Sequence, residues 1–84
     1  MSKEFAKSET CTTALIREKI YYYVQYYNND TDHNDSIKLY IMRRLFSLRE
    51  LASRLDDEGI IPYSEYVELR EKIEKYVIEI GKGS

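Results

Sequence analysis

Three features of this 84-residue chain could do chemistry: an acidic loop, the one histidine inside it, and a single cysteine. The loop Asp30-Thr31-Asp32-His33-Asn34-Asp35 begins as a calcium loop does, with oxygen ligands at its first, third and fifth positions. It then departs from that pattern. The sixth position, where the sharp turn needs glycine, is Asp35, and the twelfth, where a bidentate glutamate closes the shell, is Ile41. A solvated turn whose Asx side chains cap the following helix accounts for the same residues. Histidine is the side chain whose unperturbed pKa lies near neutrality, but the neighbours of His33 in the sequence are polar and offer nothing to tune it for acid–base work. Cys11 has no second cysteine to resolve it, and Thr10, Thr12 and Thr13 around it supply no base. One His and one Cys also fall short of the four ligands usual in a structural zinc site. The sequence holds no P-loop, no GxGxxG, no GxSxG and no HExxH. These residues set the expectation of a protein that is not an enzyme, with no metal site and no cofactor.

Charge and aromatic content point instead to binding. With 13 basic and 15 acidic residues, net charge -2, the whole chain is no general polyanion binder. The charges are nevertheless segregated. Residues 37–55 carry Lys38, Arg43, Arg44, Arg49 and Arg54 against Glu50, net +4, whereas residues 56–84 are net -4. A basic segment raises nucleic acid, or an acidic partner, as a ligand for Lys38, Arg43, Arg49 and Arg54. Projected at about 100° per residue, however, Lys38 and Arg49 lie together while Arg43 and Arg54 lie about 140° away. No single stripe follows a phosphate backbone. Complementary pairing between a basic central helix and an acidic last helix explains the distribution better.

The elements that position these residues follow from hydrophobic spacing. Ile16, Ile20, Tyr23, Val24 and Tyr27 fall on one helical face, and so do Ile37, Ile41, Leu45, Leu48, Ala52 and Leu55. Tyr66, Leu69, Ile73, Tyr76, Val77 and Ile80 form a third stripe, with Glu68–Lys72 and Glu71–Lys75 spaced for i,i+4 pairs on the opposite face. A strand over residues 20–27 is the competing reading, but the helical spacing runs on from Ile16 and no second strand is at hand to pair with it. Helices are therefore expected over about 12–28, 36–58 and 62–80 within one domain of residues 10–80, between a flexible N-terminus, 1–9, and a flexible tail, 81–84. Ser8, Thr10, Thr12 and Thr13 are the N-cap candidates of the first helix. Gly59 suits the left-handed position after the second, with Ile60 then folding back on Leu55 in a Schellman motif. Pro62 suits the first turn of the third.

Two further stripes are left over. Leu39, Met42 and Phe46 lie about 160–180° from the main stripe of the central helix, and Leu15, Tyr22 and Tyr26 lie roughly 120° from that of the first. Packing between the first and third helices would account for the former in a lone three-helix bundle. A chain of this size buries only about 60–65% of its unfolded surface, however, and three helices cannot easily hide both stripes. Five tyrosines within residues 21–27 make the surplus suited to contact, since a tyrosine offers apolar area and a hydroxyl that tolerates water. A second copy is the most economical cover.

Residues 48–73 are similar to a short C-terminal hairpin module found at the ends of many bacterial proteins. Gly59, Ile60, Ile61, Glu65 and Tyr66 match its pattern, and Pro62 stands where the module has a capping Thr. The resemblance implies an oligomerising or docking role. A helix-turn-helix over the same stretch fits less well, because the connection is long and Pro62 falls near the start of the would-be recognition helix. The reading as a whole is an all-α, small three-helix bundle with a long central helix, dimeric, using Leu15, Tyr22, Tyr26, Leu39, Met42 and Phe46 as its interaction surface. It is expected to be a cytoplasmic regulator or inhibitor that binds another protein, with nucleic acid the alternative partner and no membrane segment. From size alone, an accessory protein of a phage or mobile element is the expected kind.

Overall fold

A computed structural model describes residues 10–30 and 34–82. The expectations for residues 1–9, for Thr31, Asp32 and His33, and for Gly83 and Ser84 lie outside them. Three helices, α1 (Cys11–Asn29), α2 (Asp35–Asp57) and α3 (Tyr63–Lys82), account for nearly all the described residues, and none of these is in a strand. The central helix is the longest at 23 residues. α3 runs through Gly81 to Lys82, two residues past the end expected from the sequence.

The three main stripes build the core. Ile16, Ile20 and Tyr27 from α1 meet Ile41, Leu45, Leu48 and Ala52 from α2 and Leu69, Ile73 and Ile80 from α3. Tyr23, Val24, Ile37, Leu55, Tyr66, Tyr76 and Val77 pack half-buried around them. Every helix touches the other two.

Helix ends explain where the chain turns. The Asn34 carboxamide oxygen accepts the Ile37 N–H at 2.9 Å, so an Asx residue of the polar loop caps α2. Asp35 in the first turn and Arg54 in the last both suit the helix dipole. At the other end Gly59 takes φ 76°, Ile60 N–H donates to the Leu55 carbonyl at 2.8 Å, and Gly59 N–H donates to that of Asp56 at 3.0 Å. This is a Schellman closure. Ile60 stays 49% exposed, and Ile61, 2% exposed, enters the core. The reversal after Gly59 swings the next residue, not Ile60 itself, back over the helices. Pro62 sits one residue ahead of α3, its carbonyl accepting Glu65 N–H at 3.0 Å and Tyr66 N–H at 3.1 Å.

The start of α1 departs most from local rules. Thr10 is the N-cap, yet its side chain makes no capping bond, and the first turn of α1 contains no acidic residue. The charge comes from α3 instead. Glu65 Oε1 accepts the Thr13 hydroxyl at 2.8 Å and the Thr10 N–H at 3.4 Å, placing a carboxylate at the positive end of α1. Thr13, absent from the expected core, is 1% exposed and held by this bond.

Two outcomes follow for stability. Leu45→Ala should destabilise the chain by about 2–5 kcal/mol, whereas Leu15→Ala, on the exposed stripe, should stay within about 0.5 kcal/mol; urea melts read both. Glu65→Ala should cost about 1–3 kcal/mol by leaving the buried Thr13 hydroxyl unmatched. An unchanged melting temperature in that variant would show that Glu65 does not hold α1.

Candidate interaction surfaces

The surplus stripes lie on two different sides of α2. Ring contacts identify the side that faces α1. Tyr40 meets Tyr23 at 6.4 Å and 79° and Tyr26 at 6.4 Å and 55°, and Tyr22 meets Tyr23 at 5.2 Å. The Arg44 guanidinium stands 5.4 Å from the Tyr40 ring centroid. On this surface Leu15 and Tyr22 are each 62% exposed, and Tyr26 and Tyr40 are exposed as well. An open groove of about 260 Å³ between Leu15 and Tyr22 has Glu18 and Lys19 on its walls. Exposed Leu51 lies three turns along α2 from Tyr40, and Arg43 and Arg54 stand one turn from Tyr40 and Leu51 respectively. This is an aromatic surface bordered by cations.

A salt bridge identifies the side that faces α3. Arg49 Nη1 lies 3.2 Å from Glu74 Oε2, and the same guanidinium is 5.1 Å from the Phe46 ring centroid. Phe46, Met42 and Leu39 therefore share the α3 side of α2, with Leu39 52% exposed, Phe46 38% exposed and Met42 half-buried against the core. These side chains are not enclosed between α1 and α3, because α2 gives its main stripe to both neighbours. α3 adds Ile78, 60% exposed one turn beyond Glu74, with Tyr63 and Val67 on the same helical face.

The expected cationic residues separate accordingly. Arg43 and Arg54 are exposed, Lys38 is half-buried, and Arg49 is paired across to the acidic helix. Charge complementarity between α2 and α3 is thus realised at the Arg49–Glu74 contact, while Arg43 and Arg54 face outward. On the α1–α3 seam Lys72 stands over Tyr21 at 5.4 Å and Lys75 over Tyr76 at 5.9 Å, so both also lie against rings. Arg70 stands over Tyr66, whose hydroxyl raises the guanidinium pKa further above its ordinary value.

Tyr40, Leu51, Tyr63 and Ile78 were not singled out by the sequence reading. A signal exists for the first two: Tyr40, Ser47 and Leu51 repeat the i, i+7, i+11 spacing of Leu15, Tyr22 and Tyr26. Among the described residues no group of three His, Cys, Asp or Glu side chains could hold a metal ion, and Cys11 is exposed at the first position of α1. No described helix is long and apolar enough to cross a membrane. No family model, no curated protein and no solved structure matches the chain.

Proposed function

We propose that this protein is a non-enzymatic interaction module, a three-helix bundle that self-associates and acts as a regulator or inhibitor by binding another protein. One observation carries the reading: with the core closed, Leu15, Tyr22, Tyr26 and Tyr40 remain exposed together on one side of α2, and Leu39, Phe46 and Ile78 on the other. Large apolar side chains gathered on one face mark binding sites more often than isolated ones do. Tyrosine and Arg are among the residues that interfaces favour, because they combine contact area with a polar end, and Met is favoured for its flexible apolar side chain.

A second reading has its own support. Arg43, Arg44 and Arg54 border the tyrosine surface, and aromatic platforms edged by cations also suit single-stranded nucleic acid. The net charge of -2 and the separation of Lys38 from Arg43 and Arg54 favour the protein partner.

Affinity capture from the native host with mass spectrometry, repeated with Tyr22→Ala plus Tyr26→Ala, tests the choice. The captured protein should bind the double variant at least about tenfold more weakly, about 1.4 kcal/mol, while helical circular dichroism stays unchanged. Equal capture by both forms, or a mobility shift of single-stranded nucleic acid lost with salt and with Arg43→Glu plus Arg54→Glu, would overturn it.

A further inference from the structure

The seam between α1 and α2 carries a pattern that its own helices do not use up. By helical projection Leu15, Lys19, Tyr22 and Tyr26 of α1 and Tyr40, Arg44, Ser47 and Leu51 of α2 line its outer side. The ring contacts of Tyr40 with Tyr23 and Tyr26 set the two rows in antiparallel register. Leu15 precedes Tyr26 by eleven residues and Leu51 follows Tyr40 by eleven, so the two leucines close the seam about 16 Å from its tyrosine end. Lys19 and Arg44 stand between the two ends, within about one turn of each other across the seam.

Apolar side chains thus hold both ends and two cations hold the middle. Among the described residues neither cation meets a carboxylate: Arg44 lies over the Tyr40 ring, 5.4 Å from its centroid, and Lys19 is exposed. The rims add no net charge, since Glu18 on α1 and Glu50 on α2 balance Arg43 and Arg54 on α2, and Asp30 and Glu58 fall beyond the two ends. A carboxylate brought between Lys19 and Arg44 would find two charged donors with no internal competitor.

Resting on the protein-binding reading above, we infer that this seam receives an amphipathic helix of the partner, with large apolar side chains three turns apart and an acidic side chain midway between them. A helix laid along two antiparallel ones buries its apolar face between their ridges. One apolar anchor meets Leu15 and Leu51, the other meets Tyr22, Tyr26 and Tyr40, and the acid between them reaches Lys19 and Arg44. An extended segment would need a strand edge to pair with, and no described residue is in a strand. A second copy fits poorly, because a two-fold axis through the middle of the seam sets Lys19 and Arg44 against Lys19 and Arg44. A nucleic-acid strand carries charge along its whole length, whereas the leucine end of the seam offers neither a cation between the rows nor a ring for a base to stack on.

Selection of a displayed library of helical peptides, randomised on one face, on the full chain tests the assignment. Selected peptides should carry large apolar residues at i and i+11 with Asp or Glu at i+4 or i+7, and replacing that acid by Gln should weaken binding at least about tenfold. Tyr22→Ala plus Tyr26→Ala should weaken it by a similar factor, and Lys19→Glu plus Arg44→Glu, with unchanged circular dichroism, should select Lys or Arg at the same peptide position. Failure to select any peptide, peptides without the acid, or an acid preference that survives the charge reversal would overturn the inference. So would displacement of the peptide by oligodeoxythymidine, or a dimer in sedimentation equilibrium that the tyrosine substitutions dissolve. Where any of these occurs while capture of a host protein still depends on Tyr22 and Tyr26, the protein-binding reading stands with a partner of other chemistry; capture independent of both tyrosines removes the two together.

Discussion

Ile41, Leu45, Leu48 and Ala52 form a stripe along α2 that both other helices must share. A helix that packs two neighbours onto one arc of its surface leaves the rest of its circumference outside. Had α1 and α3 docked on opposite sides of α2, Leu39, Met42 and Phe46 would have been buried as a second core seam. Because both dock on the same arc, the further apolar side chains of α2 flank the core and stay in contact with water. The exposed surfaces are therefore a consequence of how the core closes. They are not a failure of the chain to fold.

Given that arrangement, polar contacts decide how the outer helices sit. α1 is held near its start by Glu65, which receives the Thr13 hydroxyl and the Thr10 N–H, and along its second half by tyrosine rings that reach both neighbours. α3 is held to α2 by the Gly59 reversal at one end and by Arg49–Glu74 near the middle. An exposed ion pair contributes at most about 1 kcal/mol, so the pair sets register more than stability.

Much of the candidate site was legible in the sequence, residue by residue. Leu15, Tyr22, Tyr26, Leu39 and Phe46 lie off the main stripes by helical projection, and all five are exposed. The projection could not say whether the two surplus stripes join one surface or two, because it treats each helix alone. Nor could it separate Ile60 from Ile61, since the choice depends on the path of the chain after a residue at φ 76°. Tyr40 and Leu51 lie between the stripes of α2, and the ring contacts with Tyr23 and Tyr26 are what make Tyr40 part of a surface.

Periodicity is a local property, set by 3.6 residues per turn and by the capping chemistry of Asn34, Gly59 and Pro62, so the sequence by itself determined the three helices and the inward face of each. Handedness and juxtaposition are not local. That Glu65 would serve as the missing acid of α1, 52 residues from Thr13, that Arg49 would find Glu74, and that tyrosines would gather on the α1 side of α2 while Phe46 and Ile78 gathered on the other, was decided only when three helices chose one of several ways to share a core. Side-chain shape and charge across helices, which no single stripe records, make that choice.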